Sequence, residues 1–256
     1  MKSKKDISFL IPTNRSHEKY LDKTILTINR MDSLGFDYEI LVSSTNSGID
    51  SKNIKYFKDT DNEGSIRPIN FLASQANGDY LCVLVDDYLP SKNLFSVINF
   101  LQSPLYYDRI YKVTSLSVTV KNNGHYYKLP AELVPPSVIH PITKAERKHN
   151  RNYIMKFPTM DRKTYELFGE KIFHPHFLHH VADNYMSIYL GHMGEPTIEC
   201  REITLWDWAG RNAKTTYDVY DMIVLYNLVG NLNNNYYDKN SVFDNLEDMK
   251  KFYLEI

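Results

Sequence analysis

Along the first hundred residues, apolar positions switch between two periods. Ile7–Ile11 is a short β-rich run, and Pro12, which has no N–H to give to a ladder, closes it as a strand. From His17 to Met31, apolar residues recur at Leu21, Ile25, Ile28 and Met31, spacings that describe one face of a helix. Tyr38–Ser43 predicts a second strand and Ile54–Phe57 a short third. Ile66, Ile69, Leu72 and Ala73 form another helical stripe, which Asn77-Gly78 stops. Tyr80–Val85 is continuously apolar, the pattern of a strand covered on both faces. Alternating strand and helix imply a mostly parallel sheet with helices on both sides.

The pattern then changes. Arg109–Val120 predicts a long strand, and Lys121-Asn122-Asn123-Gly124 is a hairpin signal leading into His125–Leu129. Pro130–Pro141 holds four of the eleven prolines and reads as an extended loop. Thr164–Phe168 and Val181–Leu190 read as helices around a His-rich segment. Thr197–Ile203 reads as a strand, and Tyr217–Val229 and Val242–Leu254 as helices. The expected fold is α/β, a single domain with a Rossmann-like central sheet flanked by helices. A nucleotide-sized half, residues 1–104, is followed by a less regular half, 105–214, with C-terminal helices, 215–256, packing on the same domain.

Composition narrows the function classes. The 256 residues suffice for a substantial core, and 43% apolar with 24% charged residues excludes disordered and fibrous architectures. Thirty basic and thirty-one acidic side chains give a net charge of −1, so no nucleic-acid partner is expected. Cys82 and Cys200 stand far apart, against a disulfide scaffold or a CxxC zinc site and for a reducing compartment. No apolar run approaches the roughly 20 residues that span a bilayer, and the N-terminus does not read as a signal peptide. The expectation is a soluble cytoplasmic protein. Twenty Tyr and 12 Phe against 2 Trp suit contacts with sugars, and codon bias accounts for them equally well.

In open parallel sheets, ligands bind beyond the carboxyl ends of the strands. Three segments fall there: Pro12-Thr13-Asn14-Arg15, Ser43-Ser44-Thr45-Asn46 and Asp86-Asp87-Tyr88. Neither GxGxxG nor GxxxxGK[ST] occurs, which argues against dinucleotide-dependent hydride transfer and P-loop phosphoryl transfer. Asp86 and Asp87 repel each other unless a cation sits beside them. Mg²⁺ or Mn²⁺ suits such a place, since either takes one or two carboxylates and completes its shell with phosphate oxygens. Taken alone, the dipeptide is equally a polar turn feeding a helix that begins near Ser91.

The wider order favours the first reading. Ile-Pro-Thr-Asn-Arg (11–15), Tyr-Glu-Ile-Leu-Val (38–42), Asn-Glu-Gly (62–64), Asn70, Ala-Asn-Gly-Asp-Tyr (76–80) and Leu-Val-Asp-Asp-Tyr-Leu-Pro (84–90) together resemble the donor half of family 2 inverting glycosyltransferases, which have the GT-A fold. The likeness covers residues 7–100 and continues more weakly through Phe168-Gly169-Glu170 and His180-Val181-Ala182-Asp183-Asn184-Tyr185-Met186. It implies that Pro12, Thr13, Asn14, Arg15, Ser44, Asn70 and Asp86 contact the nucleotide, Asp86 through its ribose. It also implies that Asp87 holds a divalent cation, Mn²⁺ or Mg²⁺, on the diphosphate, and that Asp183 is the general base. The implied partners are a nucleotide-diphospho-sugar, with UDP as the expected nucleotide, and a glycan or lipid-linked sugar acceptor. Three positions depart from the family: Ser44 stands where an Asp reads the base, Tyr88 where a further acid is usual, and Ala182 where Glu is common.

Other signals compete. His174, His176, His179 and His180 crowd seven residues; zinc or iron is one use, and a loop flanking the acceptor, with His179 and His180 reaching sugar hydroxyls, is the preferred one. Trp206 and Trp208 read as core anchors around a capping Asp207, with Trp206 stacking on an acceptor ring and Asp207 contacting it as the alternative. Lys144–Arg151 is a basic run that is a solvated stretch, a lid over the diphosphate, or a peripheral contact with anionic lipid at the inner face of a membrane. Two rivals to the transferase stay open: a non-catalytic nucleotide-sugar or glycan-binding module, and a sugar-phosphate nucleotidyltransferase.

Overall fold

A computed structural model describes residues 4–13, 18–45, 50–59, 64–119, 154–179, 181–195 and 197–207. It also describes residue 48, residues 137–139 and 146–148, and part of 220–228. Asn14, Arg15, His180, Trp208, the expected hairpin at 121–129 and the expected helix at 242–254 lie outside the described residues.

The chain runs β1 (Lys5–Thr13), α1 (Glu18–Asn29), β2 (Tyr38–Ser44), β3 (Ile54–Lys58), α2 (Ile66–Gln75), β4 (Gly78–Val83), β5 (Tyr88–Pro90) and α3 (Ser96–Leu101). It continues with β6 (Val113–Thr119), β7 (Ser137–Ile139), β8 (Glu146–Lys148), β9 (Pro158–Asp161), α4 (Arg162–Leu167), α5 (Ala182–His192) and β10 (Ile198–Asp207). Eight strands form one sheet in the order β3-β2-β1-β4-β9-β6-β10-β5, and β7 pairs with β8 separately. The first four strands of that order are mutually parallel. The fold is therefore α/β with a parallel N-terminal half of the sheet, as the strand–helix alternation predicts.

Parallel strands covered on both faces must be apolar throughout, and β1 is buried from Ile7 to Thr13. Alternate residues feed two cores. Ile7, Phe9 and Ile11 meet Ile25 and Ile28 of α1 and Phe95 and Ile98 of the α3 region. Leu10 and Leu41 lie on the opposite face with Leu72 and Ala73 of α2 and residues of α5.

Several expected boundaries shift. β1 does not end at Pro12 but continues to Thr13, paired with Ser44. Pairing with β4 stops at Leu10–Val83, and Pro12 faces the same side as Leu10, so its missing N–H falls where no partner strand remains. The long strand expected from Arg109 begins only at Val113, after a single 3₁₀ turn at Pro104–Tyr106. The helix expected near Ser91 begins at Ser96. Strand β10 runs past Ile203 to Asp207. β5 and β9 were not foreseen. β9 is antiparallel to both β4 and β6 and joins the two halves into one sheet. Among the described residues, no helix is long and apolar enough to cross a membrane.

One buried carboxylate fastens the parallel strands to their connections. Glu39 of β2, 2% exposed, accepts from the Ser8 hydroxyl at 2.8 Å and from the Asn77 N–H at 2.6 Å, and the Lys55 ammonium lies 2.6 Å from its other oxygen. Burial pushes its carboxyl up. Lys55, Asn77 and Ser8 together outweigh that push and hold it below the ordinary 4.5. Because the folded value is depressed, this stabilisation is present above the unfolded value and is lost as pH falls through the folded one. Glu39→Gln should therefore cost about 2–3 kcal/mol at pH 7. Urea titrations should show the deficit shrinking below about pH 4.

Candidate active site

The parallel run of β1, β2 and β4 brings their carboxyl ends to one edge, and there the chain changes from apolar to acidic. After Leu84 and Val85 come Asp86 and Asp87, in a turn before β5. The Thr13 hydroxyl, on the last residue of β1, donates to Asp86 Oδ2 at 2.6 Å. The buried Thr24 hydroxyl of α1 lies 2.9 Å from the Asp86 carbonyl and 3.2 Å from that of Tyr88. Backbone and side chain of the turn are thus held from two elements. Asp86 is buried at 6% exposure, whereas Asp87 is half-buried and lines an open cavity of about 430 Å³.

The facing wall comes from the second half of the chain. Asp183, in the first turn of α5, lines the same cavity. Its Oδ1 accepts from the Asn184 N–H at 2.8 Å. Its carbonyl accepts from the Ser187 hydroxyl, whose oxygen in turn accepts the Met155 N–H at 2.6 Å. A helix N-terminus favours a carboxylate there. The approach to α5 is tied back to the first half of the chain. The Ile66 N–H donates to the Leu178 carbonyl at 3.1 Å, and the Ser65 hydroxyl lies 2.8 Å from His179 Nδ1.

Two bulky residues of this wall have left-handed backbones. Phe157 has φ 46° and Val181 φ 49°, and both line the cavity. Such conformations cost of order 1–3 kcal/mol each and persist only where neighbours enforce them. The Phe157 ring lies against Tyr88, centroids 4.9 Å apart, and the Ser115 hydroxyl holds the Lys156 carbonyl at 2.8 Å. Both strained positions flank chemistry-bearing side chains, Lys156 and Asp183.

Of the residues singled out from sequence, Pro12, Thr13, Asp86, Asp87, His179 and Asp183 line this one cavity. Asn70 does not. Its amide donates to the Phe173 carbonyl at 2.9 Å and accepts the N–H groups of Ile172 and Phe173, bracing the 172–173 turn. Ser44 is buried at the end of β2, outside the lining, and its carbonyl accepts the N–H of Asp59, which does line the cavity. Trp206 is 53% exposed on β10 and is no core anchor, and Asp207 ends β10 in register with Tyr88. His174 packs edge-on against Tyr185 and next to His176. Burial, and secondarily His176, pull its pKa down to about 4. No three His, Cys, Asp or Glu side chains among the described residues gather as a metal-holding group.

Sequence reasoning missed Lys156, Phe157 and Asp59. Lys156 and Phe157 precede a strand too short to show a period, and Asp59 follows an ordinary edge strand. Nothing local marks them.

No family model and no curated protein matches the sequence. Solved structures do match. An S. aureus TarS structure, residues 1–349, superposes at TM-score 0.54 with 14% identity, covering 89% of this chain and 65% of that one. The same protein in complex with UDP gives 0.52 with 16% identity over 97% and 70%. The mannosyltransferase PcManGT from Pyrobaculum calidifontis, in complex with GDP-Man and Mn²⁺, gives 0.57 with 13% identity over 98% and 70%. The fold is that of these glycosyltransferases. The chain spans roughly two thirds of these neighbours' length and 39% of a longer TarS structure.

The join between the two walls can be tested at Gly64. It has φ +71°, and a Cβ there would run into the Leu178 carbonyl, whereas Gly35, at φ +81°, has open space around it. Gly35→Ala should cost only the left-handed penalty, about 1 kcal/mol. Gly64→Ala should cost at least twice as much, read as the difference in urea midpoint, because a backbone atom must move.

Proposed function

We propose that this protein is an inverting glycosyltransferase that moves a sugar from a nucleoside-diphosphate donor, a UDP-sugar, to a hydroxyl of a glycan or lipid-linked acceptor. The observation that carries the reading is the pairing, across one cavity, of an acidic turn fixed at the rim of β4 with a carboxylate on the first turn of α5. The neighbours' complexes with UDP and GDP-Man support a nucleotide-sugar donor.

The geometry suits the roles. The donor's nucleoside would lie over Pro12 and Thr13, with Asp86, already oriented by Thr13, accepting from the ribose hydroxyls. Asp59 offers a carboxylate one strand beyond Ser44, a candidate acceptor for the N–H of a uracil ring. Asp183 takes the proton from the acceptor hydroxyl as its oxygen attacks the anomeric carbon. The sugar–phosphate bond breaks on the opposite face, its electrons leave with the diphosphate, and the configuration inverts. Lys156, on the cavity wall, provides positive charge near the leaving group.

The carboxylates fit a divalent cation of one kind. With one oxygen of Asp86 taken by Thr13 and no three-residue group among the described residues, the protein does not offer a closed cage. A half-buried Asp87 at the rim fits an ion that draws most of its ligands from the diphosphate and water. Such an ion, when bound, supplies Lewis-acid stabilisation of the leaving diphosphate. A neighbour that carries GDP-Man together with Mn²⁺ supports this.

Mn²⁺ alone should bind weakly, and UDP with Mn²⁺ should raise Tm by several degrees, since occupancy at about a hundred times Kd adds about 2.7 kcal/mol. Asp87→Ala should remove the metal-dependent part of that rise. Asp183→Asn should leave UDP affinity in place and lower donor turnover by 10²-fold or more. An Asp183→Asn enzyme that turns over at the wild-type rate sinks the base, and binding of UDP without turnover of any donor leaves the binding-module reading.

A further inference from the structure

Asp221 is helical, as are residues 220 and 223–225, is 0% exposed, and plays no part in the chemistry described above. Its two oxygens serve two successive peptide units some forty residues away. Oδ1 accepts the N–H of Leu178 and Oδ2 that of His179, each at 2.8 Å. Burying a carboxylate is costly, and filling space needs no charge. What a carboxylate supplies here is a separate acceptor oxygen for each of two adjacent donors, with no N–H of its own to place.

The same two residues are held from the other side. The Leu178 carbonyl takes the Ile66 N–H at 3.1 Å, and His179 Nδ1 meets the Ser65 hydroxyl at 2.8 Å, both at the start of α2. Two residues later Val181 adopts its left-handed φ of 49°, α5 begins, and Asp183 stands in the cavity. The strained residue thus sits between a clamped segment and a helix that carries the base.

We propose that Asp221 is the positioning residue of the acceptor-side wall, fixing Leu178 and His179 so that the Val181 turn presents Asp183 to the reaction. The proposal rests on the reading of Asp183 as base. Asp221→Asn keeps size and shape, but one oxygen becomes an NH₂ that opposes an N–H. Val224→Ala, which truncates a buried side chain in the same helical stretch, serves as the control for simple destabilisation.

In UDP calorimetry and donor-turnover assays, Asp221→Asn should keep UDP Kd and donor KM within about threefold of wild type while kcat falls some 30- to 100-fold, as expected when a reacting group is misplaced by about an ångström. Val224→Ala, assayed well below its Tm, should keep kcat. Hydrogen exchange should quicken at residues 178–183 in Asp221→Asn and not in Val224→Ala. Equal kcat in the two variants, or unchanged exchange at 178–183, overturns the positioning role. A wild-type protein that turns over no donor instead sinks the transferase reading, and the exchange comparison still reports on the clamp.

Discussion

The hydrogen bond from Thr13 to Asp86 is the point on which the arrangement turns, because it fixes the place where the apolar run Leu81–Leu84 gives way to charge. β1 from Ile7 and β4 from Leu81 are buried, and the buried Glu39 of β2 is taken up by Ser8, Asn77 and Lys55. A carboxylate open to a cavity stands where the strands end. Even there, Asp86 is nearly as buried as the core around it, so it needs a partner from within the fold. The last residue of the neighbouring strand provides one. Thr24 of α1 holds the turn's carbonyls, so the helix that covers one face of the sheet also sets the geometry of its rim.

The second half of the chain completes the site by extending the same sheet. β9 enters antiparallel between β4 and β6, and β10 returns alongside β6 and then pairs with β5, directly after the acidic turn. That turn is therefore bracketed by ladders on both sides, β4 with β1 before it and β5 with β10 after it. Tyr88, where the resemblance leads one to expect a further acid, packs its ring on Phe157. An aromatic contact occupies that place, and the acidic character of the rim rests on Asp86 and Asp87, with Asp59 and Asp183 across the cavity.

The donor half was legible because its elements are long enough to show a period. β1, β2, α1 and α2 each span five residues or more, and the residues after β1 and β4 were suspect on topology alone. Asp183 could be named only through the family resemblance, since an acid in the first turn of a helix is ordinary. Short strands escaped notice: β5 has three residues and β9 four, and both are defined by their partners rather than by their own pattern. Asn70 shows a different ambiguity. It belongs to the recognised pattern, yet its three hydrogen bonds brace a turn, and no sequence feature separates an amide that binds ligand from one that binds backbone. Trp206 was misread for a similar reason, because exposure depends on which strand face meets a neighbour.

The residues that shape the facing wall share a physical character. Lys156, Phe157, His179 and Val181 lie on connections whose conformations are imposed by distant groups: Ser115 on the Lys156 carbonyl, Ser65 and Asp221 around His179. Two of these residues have left-handed backbones that their own side chains disfavour, so the surrounding contacts must exceed the strain. Both sides of the cavity are thus held by contacts from within the fold. Under the proposed reading that restraint matters most for the base, since an Asp that must be within hydrogen-bond reach of an acceptor hydroxyl gains little from a helix free to rotate. The cost of holding the Val181 turn is then spread through the Leu178–His179 clamp, which joins the start of α2 to α5 and so makes donor-side and acceptor-side walls one unit.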